Sequence, residues 1–87
     1  MEFIQDIFIT GIIMPNNWDE NGKVTEIAIY TNTEEIYVLE DNSLNQKLFG
    51  LLQKKVELRG KIRLKPDGNR TISAHNYIEL DETFGNE

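Results

Sequence analysis

The sequence predicts a mainly-β fold: five strands closed into a small barrel, with one short helix between strands three and four. Three observations carry that prediction. Apolar residues alternate with polar ones in strand-like runs ahead of residue 43. Leucines at helical spacing follow. A basic alternating strand, an Asp67-Gly68 turn and a last strand then complete the pattern.

The first strand is expected over residues 3–14, with Ile7, Ile9, Gly11 and Ile13 on one face and Phe8, Thr10 and Ile12 on the other. Gly11 removes a side chain where a barrel strand must bend, and Pro15 is expected to end the run. Residues 16–22 are rich in turn formers, and Asn21-Gly22 suits a pair with positive φ. Strand two is expected over 23–31. Asn32, Thr33 and Glu34 connect it to strand three over 35–40.

Ser43 and Gln46 match a capping box, with Ser43 as N-cap. Leu44, Leu48, Leu51 and Leu52 then form one apolar stripe. Gly50 costs such a helix about 1 kcal/mol relative to Ala, so tertiary packing must hold it. In strand four Val56, Leu58, Gly60, Ile62 and Leu64 share a face, and Glu57, Arg59, Lys61, Arg63 and Lys65 take the other. Strand five is expected over 70–80, with Ile72, Ala74, Ile78 and Leu80 on one face and Thr71, Ser73, His75, Tyr77 and Glu79 on the other.

One domain over residues 1–80 is expected, followed by an acidic, disordered tail over 81–87. A chain of 87 residues hides only about 60–65% of its unfolded surface, enough for one small core. The absence of cysteine excludes disulfides, thiolate metal sites and a thiol nucleophile. The opening residues carry no basic leader, and the apolar run at 7–14 is too short to span a membrane. A soluble cytoplasmic protein is expected.

Net charge is −6, unevenly spread: −7 over residues 1–53, +5 over 54–78 and −4 over 79–87. Non-specific nucleic-acid binders are usually basic overall, so the total weighs against that class.

Gly11 in an apolar first strand, and the run from Lys55 to Ile62 directly after a short helix, carry a resemblance. Residues 3–80 resemble the small stand-alone bacterial OB-fold domains. An SH3-like barrel is the competing architecture, but those barrels usually carry only a short turn, later in the chain. The resemblance implies a binding scaffold whose ligands lie on the outer face of strands two and three, between the loops joining strands one to two and four to five.

Carried onto this chain, that surface would hold Trp18, Tyr30 and Tyr37, with Lys65 and Arg70 on the second loop. Aromatics beside cations suit single-stranded nucleic acid, because every base offers a flat face and every linkage a charge. Glu26, Glu34, Glu35 and Glu40 on the same strands oppose a polyanion. As a structural reading, the tyrosines are ordinary strand residues and Trp18 folds back over the barrel mouth. Arg59, Lys61, Arg63 and Lys65 form either an anion-binding stripe or a solvated face paired with neighbouring acids.

His75 has no nucleophile or metal-ligand partner in sequence, and residues 19–22 lack the spacing of a calcium loop. No catalytic set, metal or cofactor is expected. The expected function is a non-catalytic interaction module with a protein partner, with single-stranded nucleic-acid binding as the alternative. The acidic first half and basic fourth strand also suit head-to-tail self-association.

Overall fold

A computed structural model describes residues 4–80. The strands are β1 (Ile4–Trp18), β2 (Val24–Thr31), β3 (Ile36–Leu39), β4 (Lys55–Leu64) and β5 (Arg70–Glu79), with α1 (Asn45–Phe49) between β3 and β4. They form a closed barrel in the order β1-β2-β3-β5-β4. This is an OB-like arrangement of five strands and one helix, as the sequence predicts. The expected tail over 81–87 lies outside the described residues.

β1 is the strand that closes the barrel. It pairs with β4 from Ile4 to Ile12 and with β2 from Gly11 to Trp18. Both ladders therefore meet at Gly11 and Ile12. A Cβ on Gly11 would run into the Tyr30 backbone carbonyl, so the two strands approach there as only glycine allows. Gly60 plays the same part against the Ser73 carbonyl of β5. β3 closes the ring through a short parallel pairing with β5, Val38 with Thr71 and Leu39 with Ile72.

The core holds Ile13, Ile27, Ile29, Tyr37, Leu39, Leu48, Val56, Leu58, Ile72 and Ala74. Leu48 of α1 is fully buried, while Leu44, Leu51 and Leu52 pack half-buried against the same cluster. The helix is thus a plug held by its leucines. Its exit is fastened to β1: the Gln53 N–H donates to the Ile13 carbonyl at 2.7 Å and the Ile13 N–H to Lys54 at 3.1 Å.

Five local expectations are corrected. Pro15 does not end β1. It pairs with Ile27 and the strand runs on to Trp18, with register shifts on either side of Asn17. Proline has no N–H for the ladder, and the bulges absorb that gap. Ser43 does not cap the helix. Leu44 is the N-cap, with no side-chain cap bond. Asn42 Oδ1 instead accepts the Leu44 N–H at 2.9 Å, and Asn42 Nδ2 donates to the Ala74 carbonyl at 3.0 Å. An Asx-type turn one residue upstream has taken over the role expected of serine. Gly50 is the C-cap, outside the helix interior.

Strand five also changes face midway. Gly60 pairs with Ala74 but Arg59 pairs with Asn76, so His75 is the extra residue of a bulge. One added residue inverts the alternation that follows. Tyr77 therefore packs against the core and Ile78 points outward, the reverse of the sequence expectation. Leu64, expected on the face of Val56 and Leu58, is exposed where β4 leaves the barrel at the hairpin turn.

Candidate functional site

The outer face of β1, β2 and β3 carries two apolar rows in cross-strand register. Ile12 stands opposite Tyr30, which stands opposite Ile36. Their relative exposures are 41%, 40% and 44%. The next row inward is Met14, Ala28 and Val38, where Ala28 is fully buried between two half-buried neighbours. Strand alternation places both rows on one surface, since residues two apart share a face. Directly opposed side chains on a sheet touch, so each row is continuous.

Past Val38 the surface drops into two connected clefts of ≈ 440 Å³ and ≈ 420 Å³, which share Glu26, Val38, Lys65 and Thr71. One takes in Ile36 of β3 together with Asn69 and Arg70 at the β4–β5 connection. The other is lined by Asp41 and by Asn45 and Phe49 of α1. The cleft that holds Arg70 borders the β4–β5 connection through Asp67 and Asn69, and neither is lined by the β1–β2 connection.

The rim is charged and mostly paired. Asn16 Nδ2 donates to Glu26 Oε1 at 2.7 Å. Glu40 Oε2 accepts from Arg63 Nη1 at 3.2 Å and from the Thr71 hydroxyl. Arg70 Nη1 lies 3.7 Å from Glu35 Oε2. Asn45 differs from these. It is only 6% exposed, and its Oδ1 is buried without a hydrogen-bond partner. A lone buried amide acceptor costs about 1–3 kcal/mol.

The residues expected to form the site are only partly brought together. Tyr30, Lys65 and Arg70 lie on this surface. Tyr37 does not: it is a core residue, because strand alternation gives the outer positions of β3 to Ile36 and Val38. Its hydroxyl donates to Glu35 Oε1 at 3.1 Å, and the Arg70 guanidinium lies 6.0 Å from its ring centroid. Burial, reinforced by the bond to Glu35 and the Glu35 charge, raises its pKa above 10.0, while Arg70 opposes that shift. Trp18 does not cover the barrel mouth. It is 53% exposed at the outer end of β1, carried there because the strand continues past Pro15.

The basic residues of β4 do point outward, but the arginines are engaged. Arg59 sits 5.0 Å over the Phe8 ring and 3.9 Å from Asp6 Oδ2. Arg63 is bound to Glu40. Lys61 and Lys65 are exposed. His75 Nε2 lies 3.2 Å from Asp6 Oδ1, an exposed contact at the bulge. Aromatic rings and unpaired arginines are therefore not collected on one platform.

Sequence reasoning missed Ile36, Met14, Val38 and Asn45. The signal for the first three was present: outward phase on three adjacent strands, with apolar residues at every such position between Ile12 and Met14. Asn45 left no signal, because its burial follows from where the helix docks.

No metal-binding group of three or more His, Cys, Asp or Glu side chains occurs among the described residues. No described helix is long and apolar enough to cross a membrane. No family model matches this chain, and neither a curated protein nor a solved structure matches it.

Proposed function

We propose that this chain is a non-catalytic OB-type binding module, of the bacterial stand-alone kind and cytoplasmic, that holds an extended protein segment on the outer face of β1, β2 and β3. The cross-strand row Ile12, Tyr30, Ile36 carries the reading. Three large apolar side chains, each about two-fifths exposed and in one line, make a contiguous surface. Such a patch rimmed by polar groups is what a protein contact uses. The row crosses two strand spacings, about 10 Å, which an extended segment of three or four residues matches.

Selection of peptides from a random display library on the immobilised protein tests this. Enriched sequences are expected to carry alternating apolar residues and to lose binding to a Tyr30→Ser variant. Enrichment that is indifferent to Tyr30→Ser defeats the reading.

The exposure of Trp18 supports a second reading, single-stranded nucleic-acid binding. Here Trp18 stacks on a base, and Lys61, Lys65 and the β4 arginines meet phosphates. Titration with a mixed-sequence oligonucleotide at low salt, followed by Trp18 fluorescence and by anisotropy of the labelled strand, separates the two. Saturable binding that weakens with salt, with a flatter salt slope in Arg59→Ala and Arg63→Ala, favours nucleic acid.

A further inference from the structure

We propose that the segment following Leu80 crosses the outer face of the barrel and seats Phe84 on Ile12 and Tyr30, so that the chain covers its own docking row until a partner displaces it. This inference rests on the reading of that row as a docking face, and it names what governs access to it.

Three observations converge. The first is register. Ile12 stands opposite Lys55 of β4 as well as opposite Tyr30 of β2. Glu79 stands opposite Val56, and the next residue, Leu80, donates its N–H to the Lys55 carbonyl at 2.9 Å. Directly opposed residues share a face of a sheet. Leu80, Lys55, Ile12, Tyr30 and Ile36 therefore form one cross-strand line, and β5 delivers the chain to one end of it.

The second is reach. Neighbouring strands lie about 4.8 Å apart, which puts Ile12 about 10 Å and Tyr30 about 14 Å from Leu80. An extended chain advances about 3.4 Å per residue, so Phe84, four residues on, reaches about 14 Å. Phe84 is also the only large apolar residue that follows Leu80.

The third is charge. Residues 81–87 hold Asp81, Glu82 and Glu87 and no base. Lys54 and Lys55 stand side by side where the crossing begins, at the start of β4. Residues two apart in an extended segment share a face. Turning Phe84 toward the sheet thus turns Glu82 toward it as well. Glu82 then passes Lys55 before Phe84 arrives at the apolar pair. Acid followed by aromatic on the segment matches cation followed by apolar row on the surface. A tethered occupant needs little intrinsic affinity, because a short tether supplies an effective concentration on the order of 1 mM.

The experiment is a set of NOE measurements on the isotope-labelled full chain at low salt, repeated on variants. NOEs from the Phe84 ring to the side chains of Ile12 and Tyr30 are expected. Phe84→Ala should shift the amides of Ile12 and Tyr30 and leave those of Phe8 and Ile78 in place. Glu82→Lys should weaken the contact more than Asp81→Lys, whose side chain faces away from the sheet. Absent NOEs, NOEs to Phe8 and Ile78 in place of Ile12 and Tyr30, or equal effects of the two charge reversals overturn the proposal. Contacts that appear only as protein concentration rises would put the segment on a second copy, and would overturn it too.

Tyr30-dependent peptides from the display library separate this inference from the reading it rests on. They are expected to bind Phe84→Ala about five-fold more tightly than the unsubstituted chain, the ratio for a covered form holding about 80% of the molecules. Equal binding to both proteins would remove the self-cover and leave the docking face standing. Phe84 contacts on the row, beside a failure to select any Tyr30-dependent peptide even on Phe84→Ala, would fault the docking face instead.

Discussion

Two outer faces of one barrel share β1 yet differ in how their side chains are satisfied. Over β4 and β5 the charged groups find one another. Arg59 meets Asp6, Arg63 meets Glu40, and His75 reaches Asp6. Phe8, though exposed, lies under the Arg59 guanidinium. Over β2 and β3 the outward positions at Ala28, Tyr30, Ile36 and Val38 are apolar, and Glu26 of β2 begins the charged rim. The strand that looks most like a ligand surface in sequence is thus largely neutralised by acids from distant parts of the chain. The unremarked isoleucines opposite are what remain open. Net charge along a sequence does not map onto surface potential once closure of a barrel has brought its ends together.

Both faces depend on the same interior, so the largest effect should erase the contrast altogether. Gly11→Ala places a methyl group against the Tyr30 carbonyl, a backbone atom that cannot swing away. A loss of about 3 kcal/mol is expected, at the upper end of overpacking costs. Urea unfolding of Gly11→Ala beside Ile12→Ala checks this, since Ile12 is exposed one residue away and should cost far less. Similar midpoints for the two variants would mean that β1 does not bend tightly at Gly11.

The next effect sharpens the comparison on the β4–β5 side. Glu40→Ala removes one carboxylate that serves both Arg63 and the Thr71 hydroxyl. Hydrogen bonds to a charged group contribute about 1.5–3 kcal/mol, so a loss of about 2 kcal/mol is expected. Glu40→Gln should recover part of it, because the amide keeps an acceptor. If both variants are neutral, this half-buried cluster is no more than a surface pairing.

How much of this was legible follows the same physics. Strand number, the helix, its leucine stripe and the Gly11 bend could be read because each is set by local alternation or by one residue's steric needs. The division of β1 and most of β4 into two faces could be read too. Tyr37 could not be placed correctly by assigning aromatics to a ligand face, although its own strand alternates Ile36 out, Tyr37 in, Val38 out. Tyr77 and Ile78 were unreadable because a bulge at His75 depends on how β5 pairs with β4, and nothing in the sequence of β5 announces it. The helix start differs from the Ser43 cap because Asn42 makes an Asx-type turn ahead of the Leu44 N-cap, and its amide also reaches Ala74 on β5, a tertiary contact invisible from the chain.

Tyr37 offers a probe of the boundary between the faces, inside the barrel but reaching Glu35 at its edge. Its pKa is raised above 10.0, so folding favours the neutral phenol. That contribution is whole below pH 10.0 and is lost as pH climbs through the raised folded value. Tyr37→Phe should therefore cost about 1 kcal/mol near neutrality, through the lost hydrogen bond, and flatten the fall in stability on the alkaline side. An alkaline limb identical in both proteins would mean that other groups govern it.

The smallest expected effect is the most pointed for the comparison. Arg59 and Asp6 are both nearly half exposed and 3.9 Å apart. Exposed pairs of this kind contribute about 0.2–1 kcal/mol and are screened by salt. Arg59→Ala is expected to lose about 0.5 kcal/mol at low salt, partly through the stem and ring contact with Phe8. Double-mutant cycles with Asp6→Ala and with Phe8→Ala separate the two parts, and only the first should shrink in 1 M salt, where the Debye length falls to about 3 Å. A coupling to Phe8 larger than that to Asp6 would make this face, too, an apolar surface with its cation laid over it. The contrast between the faces would then lie in which apolar side chains have a charged cover, since Ile12, Tyr30 and Ile36 stay exposed without one.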